Sequence, residues 1–178
     1  MLAKKVLRDL LDFARPRPAA TGPCDIGILL ANLSRLFAIQ GQARHVRLDT
    51  RIPGDLPSAR ADASALEQVV SNLVLNALDA VTPGEGVITL TAGAGSDGKT
   101  VWLRVADNGP GIAPDDLPRI FEPFFTTKEA GRGSGLGLAV VYGLLHEMGG
   151  GVEVENAGGA VFTVTLPACR PDGQEDAA

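Results

Sequence analysis

The stretch "GVITLTAGAGSDGKTVWLRVADNGPGI", residues 86–112, decides the fold. Two runs, 86–94 and 100–107, alternate apolar with polar residues, and a glycine-containing turn joins them, which predicts a hairpin. The second run ends on Asp107 and enters a turn with Gly109 and Gly111. Around this hairpin the chain mixes strands and helices without strict alternation. Residues 26–40 and about 62–81 read as helices, and 46–52 as a strand closed by Pro53-Gly54. An irregular stretch over 108–134 follows, then a helix over 134–148. Two last strands, 151–156 and 160–166, are joined by Ala157-Gly158-Gly159. This order predicts an α/β sandwich, one mixed sheet with helices packed on one face.

The bulk numbers agree. The chain has 178 residues, 45% hydrophobic and 21% charged, which suits one filled soluble domain. A net charge of −5 argues against a nucleic-acid partner or a membrane surface, which call for basic patches. No apolar run approaches a membrane span, and the charged start "MLAKKVLRDLLDFARP" is unlike a signal peptide, so the expected location is cytoplasmic. Cys24 and Cys169 have no metal-ligand spacing. They read as reduced thiols rather than as a disulfide.

Leu2, Val6, Leu10 and Phe13, with Leu7 and Leu11, give a short helical stripe over 1–15 that stops at Pro16. Residues 16–23 read as a linker, 24–168 as the main domain, and 169–178 as a flexible acidic tail. A structureless stretch as long as 108–134 is usually a functional lid. Phe121, Phe124 and Phe125 within it argue against a disordered insertion.

On the long helix, Leu66, Val69, Val70, Leu73, Ala77 and Val81 face the core. Asn72, Asn76 and Asp79 share a separate arc of roughly 60°. Three short oxygen-bearing side chains on one face suit a hard cation or a polar ligand. Mg²⁺ takes few protein oxygens besides waters and phosphates. Taken alone, the arc reads by default as a solvated polar face. Glu67 with Ser64 makes Ser-x-x-Glu, a capping box at the helix start. Asp107 at a strand end, beside bare glycine backbone, can accept from an exocyclic amine such as adenine N6, or it can open an ordinary Asp-Asn-Gly turn.

"GRGSGLGL", residues 131–138, is neither a Walker loop nor a dinucleotide fingerprint. A glycine run that opens a helix still offers free N–H groups and the positive end of a helix dipole, which favour an anion. Lys128 and Arg132 stand before Gly133, as phosphate partners or as solvated charges.

Together "EQVVSNLVLNALDA" (67–80), "DNGPG" (107–111), "FEPFFTTK" (121–128) and "GRGSGLGL" resemble four boxes of one family in their order and spacing. These are the N box, first glycine box, F box and second glycine box of the sensor histidine kinase ATP-binding domain. That domain is a member of the Bergerat-fold superfamily with gyrase and MutL, and "FEPFFTTK" is similar to nitrogen-regulator-type kinases. The resemblance covers about 24–168. It implies a five-stranded mixed sheet with three main helices on one face, besides the short amino-terminal helix. It implies ATP and Mg²⁺ as ligands, with Asn76 on Mg²⁺ and Asn72 and Asp79 around the phosphates. Asp107 would hold the adenine amine, with Gly109 and Gly111 shaping that pocket. Lys128 and Arg132 would sit on the lid, and Gly133, Gly135, Leu136 and Gly137 on the phosphate-side turn.

The superfamily's ATPases carry a general-base glutamate where this chain has Asn72, an amide that takes no proton near pH 7. The site is thus expected to hold ATP for another nucleophile, a histidine on a helical hairpin. His146-Glu147 matches only two letters of that histidine's motif, and His45 has no following acid. "VLRDLLDFARP" resembles the end of the dimerisation and phosphoacceptor hairpin, so the chain reads as the last turns of that hairpin, a linker and a complete catalytic domain. The partners implied are that hairpin and a response regulator receiver domain. Two rivals keep the same fold: an anti-sigma-type serine kinase, opposed by "FEPFFTTK", and a non-catalytic nucleotide-binding or docking module, opposed by intact Asn76, Asp107 and glycine boxes.

Overall fold

A computed structural model describes residues 21–128 and 133–169. The expected helix over 1–15, most of the linker and the tail beyond Cys169 lie outside the described residues, as does Arg132. The elements run β1 (Gly22–Cys24), α1 (Ile26–Ala43), β2 (Arg47–Arg51), β3 (Ala59–Ala61), α2 (Ala63–Ala80), β4 (Val87–Ala94), β5 (Thr100–Asp107), α3 (Gly137–Glu147), β6 (Gly151–Asn156) and β7 (Ala160–Pro167).

Five strands form one sheet in the order β2-β4-β5-β7-β6. β2 pairs parallel with β4, and every other neighbour is antiparallel, so the sheet is mixed as expected. The registers place Arg51, Thr91, Arg104, Thr163 and Glu153 in one row across the sheet. That row is polar and open to water, the pattern of an antiparallel sheet with one solvated side. The other side carries Ile88, Leu90, Leu103, Val105, Phe162 and Val164, all buried. Against it lie Leu66, Val69, Val70, Leu73 and Ala77 of α2, the row expected from the helical wheel. Each Leu or Val so buried contributes about 1.5–3 kcal/mol.

Three local readings are corrected. The N-cap of α2 is Asp62, whose Oδ1 accepts from Ala65 N–H at 3.0 Å. Ser64 already lies inside the helix, so no Ser64–Glu67 capping box opens it. α3 begins at Gly137 rather than 134, because Gly135 at φ +66° lies outside the helical region. The end of the expected linker forms β1, which pairs with β3 in a two-stranded ribbon. Three-residue strands are too short to show alternation in sequence.

Cys24 pairs with Ala59, and Ala59 bridges Ala168, next to Cys169. Two strand spacings, about 10 Å, separate the cysteines, beyond disulfide reach. Both are free. Burial pushes the Cys24 thiol pKa up, and the negative charges of Asp25, Glu67 and Asp62 add to that.

Candidate functional site

β5 stops at Asp107 because the next residues, Asn108 to Gly111, turn away from the sheet. Asp107 stands opposite Ile88 in register, hence on the helix side of the sheet. There a cavity of about 470 Å³ opens between α2, this turn and the segment before α3. Asn72, Asn76 and Asp79 line it from α2. Asp107, Gly111, Lys128, Gly133, Gly135 and Gly137 line it from the other segments. Stretches as far apart in sequence as Asn72 and Phe162 therefore meet in one concave site. Ile112, Ile120, Phe125, Leu138, Ala160 and Phe162 supply an apolar wall. An apolar cleft with a few aimed polar groups suits a flat heteroaromatic ligand.

Asp107 Oδ1 accepts two backbone N–H bonds, from Gly109 at 2.9 Å and from Ala160 at 3.2 Å. Those bonds fix the carboxylate and leave Oδ2 without a hydrogen bond among the described residues. Gly109 does not line the cavity; it serves by holding Asp107 and by passing close to Ala80, whose carbonyl oxygen would stand 3.1 Å from a Cβ there. Leu136 is fully buried, and its side chain anchors the start of α3 instead of lining the cavity.

Asn72 Nδ2 donates to the Gly137 carbonyl at 3.3 Å, tying α2 to the start of α3. Asp79 holds two cations: Lys128 Nζ lies 2.8 Å from Oδ2, and Arg44 Nη1 lies 2.9 Å from Oδ1. Burial pushes the Asp79 carboxyl pKa up, but hydrogen bonds from Lys128 and Arg44 and their charges outweigh it, so the pKa is lowered. The charge of Lys128 is thus already matched by Asp79. Arg44 also donates to the Leu78 carbonyl at 3.2 Å.

Gly135, two residues before α3, is tied to the F box by backbone. Phe124 N–H donates to Gly135 O at 2.9 Å. A Cβ at Gly135 would stand 2.6 Å from Phe124 O, so only glycine fits. Phe124 itself has φ +68° and is 65% exposed, an unusual state for an aromatic residue.

Among the described residues no group of three or more His, Cys, Asp or Glu stands together as a metal cage. Mg²⁺ does not require one, since it keeps waters and binds substrate phosphates through one or two protein oxygens. Asn76 lines the cavity and makes no side-chain hydrogen bond with the described residues, so it fits a single-ligand role.

Sequence reasoning missed Arg44, Asp116 and Asn156. Asp116 lines the cavity beside the apolar wall. Asn156 pairs with Ile112, as described below. None carries a local motif; Arg44 and Asn156 act from distant parts of the chain, through Asp79 and Ile112, and Asp116 lies nine residues after Asp107 in the irregular stretch.

The family model described as histidine kinase-, DNA gyrase B- and HSP90-like ATPase matches residues 61–170. The chain belongs to this family. As a family member it carries the ATP-binding catalytic domain found in sensor histidine kinases. It is 37% identical to the sensor histidine kinase ZraS of Escherichia coli strain K12, over 92% of this chain and 34% of that protein. The chain thus spans about a third of the length of that curated relative. Full-length ShkA in complex with AMPPNP has a similar structure, with a TM-score of 0.81 and 34% identity over 93% of this chain and 36% of that one. The histidine kinase ThkA in complex with the response regulator TrrA superposes with a TM-score of 0.79 at 25% identity, over 94% of this chain and 47% of that one. The five-stranded mixed sheet and three helices are those of the histidine kinase catalytic fold. His146 lies exposed in the last turn of α3, about 14 Å along the axis from Gly137, and does not line the cavity. No described helix is long and apolar enough to cross a membrane.

Proposed function

We propose that this domain binds Mg·ATP in the cavity and presents the γ-phosphate to a histidine on a dimerisation hairpin. The phosphorylated histidine then serves a response regulator receiver domain, in the cytoplasm. The observation that carries the reading is the convergence of Asn76, Asp107, Lys128 and the glycine run on one cleft. Asp107, held by Gly109 and Ala160, keeps one oxygen for the adenine amine, with Gly111 beneath the ring. The apolar wall takes the faces of the base. Lys128 and Arg132 meet the phosphates, and the N–H groups of 133–137 face them at the helix start. Asn76 holds Mg²⁺, with Asn72 and Asp79 beside it. When bound, the ion would supply charge neutralisation for the phosphates. Asn72 offers no base for water, so the bound nucleotide waits for its acceptor. Catalysis here is positioning and charge neutralisation, as in phosphoryl transfer generally.

The ShkA complex with AMPPNP and the ThkA–TrrA complex support this assignment by similarity. The test is incubation of the chain with a matching hairpin fragment and γ-labelled ATP. Acid-labile, alkali-stable label on the hairpin is the expected result. Label on serine would favour an anti-sigma-type kinase. Binding without transfer would favour a docking module.

A further inference from the structure

The wall beneath the proposed base site is held by a residue 44 positions from it. Asn156, the last residue of β6, uses its whole side-chain amide on the backbone of Ile112. Oδ1 accepts from Ile112 N–H at 2.9 Å, and Nδ2 donates to Ile112 O at 2.7 Å. The side chain thus imitates one rung of a β-ladder and closes the glycine turn from outside. Gly111, at φ +75°, lies under it, and a Cβ there would stand 2.7 Å from Asn156 Oδ1. The same β6–β7 turn reaches the other end of the wall. Ala160 N–H donates to Asp107 at 3.2 Å, and Gly159 packs so closely on the Asp107 backbone that no Cβ fits.

We infer that Asn156 is a positioning residue for base recognition: it sets the spacing between Asp107 and the Gly111–Ile112 wall, and so the preference for a 6-amino purine. The inference rests on the nucleotide reading of the cavity. Asn156 is exposed and never touches the cavity itself, so its effect passes through Ile112 and Gly111.

The experiment is calorimetric titration of wild type, Asn156→Ala, Gly111→Ala and Asp107→Asn, each with ATP and with inosine triphosphate, whose 6-oxo group replaces the amine. Wild type should prefer ATP. Asn156→Ala removes two hydrogen bonds, and ATP should bind about five- to tenfold more weakly while the inosine nucleotide changes little. Gly111→Ala attacks the same contact from below and should lower the ratio likewise. A merely structural asparagine would lower the melting temperature and leave the ratio intact, which would overturn the inference. Asp107→Asn separates the two levels. If it leaves the preference intact, the nucleotide reading of the cavity fails and the inference fails with it. If it abolishes the preference while Asn156→Ala and Gly111→Ala do not, only the positioning role is refuted.

Discussion

Gly133, Gly135 and Gly137 look equivalent in the run "GSGLG", yet their surroundings predict three different outcomes for alanine. At Gly135 the backbone is left-handed, which costs an L-residue about 1–2 kcal/mol. The new Cβ would also press on the Phe124 backbone and break the Phe124–Gly135 hydrogen bond, about 1 kcal/mol more. The sum is about 2–3 kcal/mol, taken from the tie between Gly135 and Phe124. At Gly133 the nearest atom is Thr126 Oγ1 at 2.9 Å, the end of a side chain that can rotate away, so the loss should stay below about 1 kcal/mol. At Gly137 the nearest atoms are those of Asn72, 4.0 Å away, and the position is the first of α3. Alanine there should stabilise the helix by about 0.5–1 kcal/mol, while its methyl stands where phosphates are proposed to approach. The assay is thermal melting beside calorimetric titration with AMPPNP. Gly135→Ala should weaken AMPPNP at least tenfold and lower the melting point. Gly137→Ala should raise the melting point slightly while weakening binding. Equal behaviour of all three variants, or a harmless Gly135→Ala, would refute the reasoning.

The Arg44–Asp79–Lys128 group makes a second prediction. Lys128→Ala removes a cation and leaves Asp79 less neutralised beside the proposed phosphates, so AMPPNP should bind at least tenfold more weakly. Adding Asp79→Asn should restore part of that, and titration of the double variant checks it. Asp79 also sets a pH dependence. Its folded pKa is lowered from the unfolded value near 3.9, so its contribution is complete above about pH 5 and is lost as acidification passes the folded value. The Asp79 side chain is 33% exposed and its partners 36–45%, so each ion pair is worth only about 0.5 kcal/mol; urea melts should show wild type above Asp79→Asn by about 1 kcal/mol at pH 7, and the gap should close as acidification passes the folded value. Asn72→Ala loses the tie to Gly137 and should lower the melting point by about 2–4 °C, read by calorimetry.

Much of this was legible because it is local. Helical periodicity over 62–81 separated the buried row from the arc of Asn72, Asn76 and Asp79, since a helix maps spacing directly onto faces. Alternation and a glycine turn gave β4 and β5, and the strand end placed Asp107. The four boxes carry the family in their order and spacing alone. What the sequence could not rank was decided by contacts between distant segments. Asp79 is spent on Lys128 and Arg44, 49 and 35 positions away. Asp62 rather than Ser64 caps α2, because the helix starts two residues earlier than the capping pattern implied. Gly135 alone of its run is irreplaceable, because Phe124 lies against it. Asn156 supports a turn it never neighbours in sequence. By itself the sequence determined the three main helices, the five strands of the main sheet, the family and which residue types face the cleft, because those follow from periodicity, backbone freedom and the four boxes. Only the tertiary structure decided which of those groups are already paired and which remain to meet a ligand, because hydrogen bonds and close packing depend on distance in space.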